Sequence, residues 1–321
     1  MLALLLCMNN QAIPFISVCI PAYQRTHYLE RLLKSIAEQS FRDFEVILSD
    51  DSRDNSVEQL AKQYETKFIL HYYKNDKALG TPANWNFSIK KARGEWIKLM
   101  HDDDWFASEN ALQHFAKATV SQTKFIFSAY TNFFEKNQSS ETVKLTNLWK
   151  QTIGKEPATL IAKNVIGPPS VTLIHKSVTE QYDERLKWRV DTDFYERILR
   201  NEQSFYYINQ PLVNVGISES QVTQSCLYKP EVELPEGLIL LEKHGVSSLK
   251  NMMVYDAWWR LFRNMNIKSE KQLAAYTNKK WPTVILSLTK DLSKTPTGVL
   301  KIGLLSKLAM SFSYLKNRNK I

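Results

Sequence analysis

Three aspartates stand side by side at Asp102, Asp103 and Asp104, within "KLMHDDDWF" (98–106). Carboxylates crowded in this way repel one another, so the run implies a neutralising partner outside the chain. Hard divalent cations prefer oxygen ligands, and Mg²⁺ typically takes one or two carboxylates together with substrate phosphates. A second acidic pair, Asp50 and Asp51, follows the apolar run "FEVIL". In isolation an aspartate run reads as a solvated acidic turn, with one Asp capping a helix. Position reverses that reading, because both clusters come directly after apolar stretches of strand length.

Those stretches are the elements that must carry the acids. "FISVCIPAY" (15–23), "FEVILSDDS" (44–52), "KFILHYY" (67–73) and "EWIKLM" (95–100) read as strands. Between them, "THYLERLLKSIAEQ" places Leu29, Leu32, Leu33 and Ile36 on one helical face behind a Thr26 N-cap. "NWNFSIKKARG" reads as a helix stopped by Gly94. This alternation predicts a largely parallel sheet with helices on its faces. Ligands of such sheets bind outside the carboxyl ends of the strands. Asp50, Asp51 and the Asp102–Asp104 run lie at such ends and are expected to share one crevice. Further along, 124–130 is another strand and 131–150 a polar excursion. "GPPSVTLIHK" (167–176) is a loop feeding a short strand, and "DTDFYERILR" (191–200) a helix. Beyond about residue 228 the chain turns helical and aromatic.

The composition is that of a globular chain of 321 residues, 44% of them hydrophobic, which is ample for a core. Lys and Arg outnumber Asp and Glu by 42 to 33, which suits an anionic partner without naming it. The basic residues are dispersed and no nucleic-acid-binding module is visible, so nucleic acid is not the expected partner. Cys7, Cys19 and Cys226 show neither metal-ligand spacing nor a disulfide framework, which points to a reducing cytoplasm. The N-terminal "MLALLLC" lacks a basic region and a cleavage site, so it does not read as a signal peptide, and Met8 is an alternative start. With no apolar run of about 18 residues, no spanning helix is expected.

"SVCIPAYQR" (17–25), "QSFRDFEVILSDDSRDNS" (39–56), "ARGEWIKLMHDDDW" (92–105) and "VDTDFYERILR" (190–200) follow the order and spacing of the family 2 glycosyltransferases. The chain resembles that family over roughly residues 15–200. The resemblance implies an α/β GT-A fold, a Rossmann-like, mixed but mainly parallel sheet flanked by helices, with a C-terminal helical appendage. The organisation is then an extension at 1–14, the GT-A domain at 15–227 and a helical region at 228–321.

The same resemblance implies site roles. Pro21, Ala22, Tyr23 and Arg25 would hold the nucleobase and ribose. Asp50 and Asp51 would contact uracil or thymine and the ribose, with Asp51 the better candidate for the base edge. Asn84 opens a helix bordering the donor. His101 falls where the first Asp of the D-x-D metal motif often sits; imidazole is a poorer Mg²⁺ ligand than carboxylate, so it would stand behind the ligands, bond the ribose or be a satisfied histidine at a strand end that points away. Asp103 falls on the principal metal ligand, with Asp104 as its companion and Asp102 on the donor side. Read literally, Asp102-Asp103-Asp104 is also a D-x-D, which leaves open which acid touches the metal. Asp191 matches the catalytic base, although Val190 replaces the usual Glu; its other reading is a helix N-terminal acid favoured by the dipole. Lys98 either faces the diphosphate or lies at an edge, and the Trp258–Trp259 pair reads as core.

The implied activity is inverting transfer of a sugar from a UDP- or dTDP-linked donor, dependent on Mn²⁺ or Mg²⁺. The acceptor would be a saccharide or lipid-linked species of a surface polysaccharide. Without Q-x-x-R-W or spanning helices, single transfers are expected rather than processive synthesis. Two rivals remain. A nucleotidyltransferase usually opens with a Gly-rich loop, and "PAYQRTH" has no glycine. A non-catalytic nucleotide-sugar-binding subunit of a polysaccharide assembly complex draws weight from His101 and Val190. From Leu292 to Ile321 there is no acidic residue. As a helix, Ile302, Leu305, Leu308, Phe312 and Leu315 share a face on which Lys301 and Lys316 intrude. Residues 297–321 therefore read either as a basic amphipathic tail on an anionic membrane surface, making a cytoplasmic enzyme peripheral, or as a helix docked on the domain.

Overall fold

The structure, a computed structural model, describes residues 13–218 and 226–321. The "MLALLLC" stretch with Cys7 and Met8 lies outside the described residues. The chain forms two units and passes between them several times. Of the described residues, the first comprises 13–144, 166–179 and 204–217, the second 145–165, 180–203, 218 and 226–321.

The first unit is built on one sheet. Strands β1 (Ile16–Ala22), β2 (Phe44–Asp50), β3 (Ile69–Lys74) and β4 (Trp96–Leu99) are parallel and ordered β3-β2-β1-β4. All of β4 and nearly all of β1 and β2 are buried, which is why their sequences read as unbroken apolar runs. Beyond β4 the sheet becomes mixed. It continues through β8 (Thr172–His175), β6 (Phe125–Phe134), β9 (Tyr206–Ile217) and the short β5 (Trp105–Phe106). β8 runs antiparallel to β4, so its start reaches the edge where β4 ends. Helices α1 (Thr26–Ala37), α2 (Ser56–Lys62), α3 (Ala83–Lys91) and α4 (Ala111–Ala118) complete the unit. As the periodicity predicts, α1 buries Leu29, Leu32, Leu33 and Ile36.

Several expectations are corrected. Thr26 is the first helical residue of α1; Arg25 occupies the cap position, without a side-chain capping bond. α3 ends at Lys91, so Gly94 does not stop it. A Cβ on Gly94 would lie 2.6 Å from the Ser17 backbone nitrogen, so the glycine serves the close approach of the α3–β4 turn to β1. The "polar excursion" is largely a hairpin: β6 runs on to Phe134 and returns as β7 (Ser139–Val143), whose residues are mostly exposed. β9 was not expected because Pro211 interrupts its pattern. An irregularity in its pairing with β6, beside Ala129, accommodates the proline.

A buried carboxylate ties the sheet together at the end opposite the aspartates. Glu45 on β2 accepts hydrogen bonds from the Ser17 hydroxyl on β1 at 2.6 Å and from the Arg93 backbone N–H at 2.8 Å and Nε at 2.9 Å. Ser17 Oγ in turn accepts the Gly94 N–H at 2.8 Å. Burial opposes ionisation of Glu45, but these donors outweigh it and hold its pKa below the ordinary value.

The second unit is helical: α5 (Asn147–Lys155), α6 (Val190–Glu202), α7 (Pro230–His244), α8 (Met252–Asn264), α9 (Glu270–Ala274), α10 (Thr283–Lys294), α11 (Thr297–Lys301) and α12 (Gly303–Asn317). Trp258 and Trp259 are buried core residues, and Trp258 packs edge-on against Trp281. The tail is not one helix, since α11 and α12 are separated at Ile302.

Candidate active site

The loop after β1 turns sharply at Gln24, whose φ of 62° lies in the left-handed region. Its N–H donates to Ser52 Oγ at 2.7 Å, and Asp51 N–H donates to Ala22 O at 3.0 Å. Asp50 and Asp51 thus end one neighbour of β1, while Asp102–Asp104 follow the other, β4. The two clusters flank the carboxyl end of β1, as the alternation predicts. Pro21 and Ala22 close the strand, and Tyr23 is exposed.

The turn carries Arg25 onto the aspartates. Its Nη1 lies 3.1 Å from Asp103 Oδ2, and its Nη2 pairs with Asp102 Oδ1. The expectation of a neutralising partner wholly outside the chain is therefore corrected: Arg25 partly fills that role. The pairing remains incomplete. Burial, reinforced by the charge of Asp103, pushes Asp102 up to about 7 against the pull of Arg25, and raises Asp104 well above the carboxylate range.

Other groups fix the cluster in place. Arg31 Nη2 donates to Asp103 O at 2.8 Å while its guanidinium lies over the Trp105 ring. The Gly216 N–H on β9 donates to Asp104 Oδ1 at 3.1 Å. A Cβ on Gly216 would sit 2.5 Å from Asp103 O, so only glycine lets this backbone approach. The "GPPS" segment supports the cluster through Ser170, whose Oγ accepts the His101 N–H at 2.9 Å and whose carbonyl accepts from Lys98 Nζ. Lys98 is not an edge residue, since β4 lies between β1 and β8: it is fully buried over the Phe115 ring, and burial pushes its amine down to about 7.

His101, Asp103 and Asp104 each offer a ligand atom, all within 4.8 Å of one another. His101 Nε2 and Asp104 Oδ2 are buried and have no hydrogen-bond partner among the described residues. Leaving such atoms unpaired is costly, which signals a missing partner. Burial pushes His101 down to about 4, so its imidazole is neutral at pH 7, the form that binds metals. The group therefore fits a divalent cation. Sequence reasoning put His101 behind the ligands, whereas its ring joins the group, tilted against Trp85 at 4.7 Å between centroids.

The second acidic pair is largely occupied within the chain. Asp50 has no exposed surface and accepts from Ser52 N–H, Tyr72 OH and Lys74 Nζ. Asp51 Oδ1 accepts from Asn75 Nδ2 at 2.8 Å and Leu79 N–H at 3.1 Å, and Oδ2 from Gly80 N–H at 2.8 Å. Asn84 is tied to Ser49 and Asn75. These residues shape the 75–84 segment, and Asp51 Oδ2, with a single donor, keeps capacity for another.

In the second unit, Asp191 lies in the first turn of α6. Its Oδ2 accepts from Asn164 Nδ2 at 3.4 Å. Burial pushes its pKa up to about 7, and the charge of Glu236 adds to the rise. Glu236 holds the segment before α6 by accepting from the N–H groups of Lys187 at 2.7 Å and Arg189 at 2.8 Å. Asp193 is committed to structure, bonded to Arg197, Lys243 and His244. Sequence reasoning missed Glu236, Arg31 and Gly216. Only Gly216 carried a signal, a glycine inside an apolar run.

A sheet that delivers two acidic clusters to one edge, with a cation-sized ligand group beside them, is the arrangement of a GT-A fold. The Glycosyl transferase family 2 profile matches residues 17–182. The chain belongs to that family and is a glycosyltransferase. It is 25% identical over 282 residues to an uncharacterised glycosyltransferase of Rickettsia prowazekii, covering 83% of this chain and 86% of the relative. It is 31% identical over 93 residues to the GalNAc(5)-diNAcBac-PP-undecaprenol beta-1,3-glucosyltransferase of Campylobacter jejuni, covering 28% of this chain and 30% of that one. Among solved structures, S. aureus TarS 1–349 in complex with UDP-GlcNAc shares the fold with a TM-score of 0.58 at 16% identity, over 95% of this chain and 91% of TarS.

Proposed function

We propose that this enzyme transfers a sugar from a UDP- or dTDP-linked donor, with inversion and with a divalent metal, to a saccharide or lipid-linked acceptor of a surface polysaccharide. The observation that carries the metal dependence is the His101, Asp103 and Asp104 group with its two unpartnered buried atoms. Mn²⁺ or Mg²⁺ held there would act as a Lewis acid toward the departing nucleoside diphosphate. An imidazole nitrogen among the ligands favours Mn²⁺, the transition metal of the two. Tyr23 and the spare acceptor on Asp51 bind the nucleoside. With a cation on Asp103, Arg25 would be free to meet the negative charge of the donor.

Asp191 is the base in this reading. It accepts the proton of an acceptor hydroxyl whose oxygen bonds to the donor C1 while the C1–O bond to the diphosphate breaks. Attack from the face opposite the leaving group inverts the anomeric configuration. A carboxyl group held near 7 is suited to that proton transfer at neutral pH. The names of the Campylobacter relative and of the TarS complex support a lipid-linked or saccharide acceptor and a UDP-linked donor.

Calorimetry of UDP and UDP-sugars with and without Mn²⁺ tests the proposal. Asp103→Ala is expected to remove most of the metal-dependent affinity and to leave the weak metal-free binding intact. Equal loss with and without metal would mean that the cluster is structural.

A further inference from the structure

Helix α12 packs inside out. Surface helices normally turn an apolar stripe to the core and polar residues to water. α12 buries Ser306, Met310, Ser313, Tyr314 and Asn317. That face is held by hydrogen bonds: Trp259 Nε1 donates to Ser306 Oγ at 3.1 Å, Ser313 Oγ and Asn317 Nδ2 donate to Asp291 at 2.8 Å, and Tyr314 OH donates to Lys250 O at 2.6 Å. The opposite face bears Leu304 (72% exposed), Leu308 (51%), Phe312 (73%) and Leu315 (61%), continued by Ile302 before the helix. A contiguous exposed apolar stripe marks an interaction surface.

We propose that this face docks in the interfacial layer of a bilayer bearing anionic headgroups. Charge selects the occupant. From Leu292 to Ile321 there is no acidic residue, while Lys294, Lys301, Lys307 and Arg318 are exposed and make no ion pair among the described residues. At 3.6 residues per turn, Lys307 and Arg318 border one side of the stripe. Lys316, expected to intrude, is drawn aside by Asp291. A second copy of the chain would set these cations against their like. A helix of 15 residues spans about 22 Å, less than the ~30 Å hydrocarbon core, and no described helix is long and apolar enough to cross. The helix therefore lies along the surface, apolar side down, with cations at headgroup level.

The test is co-sedimentation of the full chain with vesicles of phosphatidylcholine, with and without phosphatidylglycerol. Binding should be at least about tenfold stronger to the anionic vesicles and should weaken in high salt. The double variant Leu308→Ser, Phe312→Ser should lose at least about tenfold in binding to anionic vesicles while its melting temperature changes by no more than a few degrees, because Phe312 is largely and Leu308 half exposed. The triple variant Lys301→Glu, Lys307→Glu, Arg318→Glu should lose the preference for anionic lipid. Unchanged binding in the double variant overturns the proposal. So does failure of the wild type to bind, or a dimer in sedimentation equilibrium that the double variant dissociates.

Discussion

Replacing Arg25 by Ala exposes the conflict that the aspartate cluster contains. Ligand atoms of Asp103 and Asp104 lie within 4.8 Å of each other. At an effective dielectric constant of about 20, two full charges at that separation would repel by roughly 3–4 kcal/mol, an upper bound here because burial and the charge of Asp103 hold Asp102 and Asp104 above the usual carboxylate range. Arg25 offsets repulsion in the cluster through Asp102 and Asp103, but its side chain is 35% exposed, so solvent screens part of the effect. A net loss of about 1–2 kcal/mol is reasonable for Arg25→Ala, or several degrees of melting temperature. A divalent cation should reverse it. In the proposed reading Arg25 and the cation compete for Asp103, so the variant would be freed of a competitor, and metal at 100 times its Kd would return about 2.7 kcal/mol. Differential scanning fluorimetry in EDTA and in Mn²⁺ measures both halves. The variant should melt below wild type in EDTA and gain more than wild type from Mn²⁺. An equal deficit in the two buffers would refute both the competition and the assignment of the cation to this cluster.

Asp191→Asn should lower turnover by about 10²–10⁴-fold with donor affinity unchanged, and should erase the acidic limb near pH 7 expected in wild-type kcat/KM. Because burial raises this carboxyl's pKa above its unfolded value, its contribution to stability is complete below about pH 4 and is lost as pH rises through about 7. The Asn variant should therefore melt above wild type at pH 8 but not at pH 4; normal turnover with the limb retained places the base elsewhere. Gly216→Ala should cost about 1–3 kcal/mol and weaken Mn²⁺ binding, since its Cβ would meet the Asp103 carbonyl oxygen. Wild-type melting together with a wild-type Mn²⁺ titration would sink that expectation.

What could be read in the sequence follows from what is local. β1, β2 and β4 are apolar runs of the right length, so their ends, and the acids at those ends, are fixed by position along the chain. The apolar face of the tail is visible for the same reason. Relations across the chain are not visible. Arg25 reaches aspartates 77 and 78 residues away, and Glu236 holds backbone 47 to 49 residues before it. No periodicity encodes either. β9 escaped because Pro211 breaks its pattern, and only the irregular pairing with β6 shows how the strand tolerates it. Gly94 reads locally as a helix terminator, while its reason is the nearness of Ser17. His101 reads from its type and its place in the motif as a poor Mg²⁺ ligand, and burial beside Trp85 keeps its imidazole neutral, the form that binds metals.

The Glu45 network gives the sheet a second point of genetic vulnerability. Glu45 is matched with Ser17 across β1 and β2, and five residues later on each strand Asp50 is matched with Ala22. The bonds from Ser17 and Arg93 to Glu45 count the strands into step from the end remote from the acids. A slip of one residue there would carry through to the acidic end, shift it by about 3.3 Å and turn every side chain of the strand to the opposite face. Alleles altering Glu45, Ser17, Arg93 or Gly94 would then present as lesions of sugar transfer, although none of these residues touches the aspartates. A mutational map of this enzyme should show two separate bands of intolerance on the same strands, one at each end, with a more forgiving apolar stretch between them.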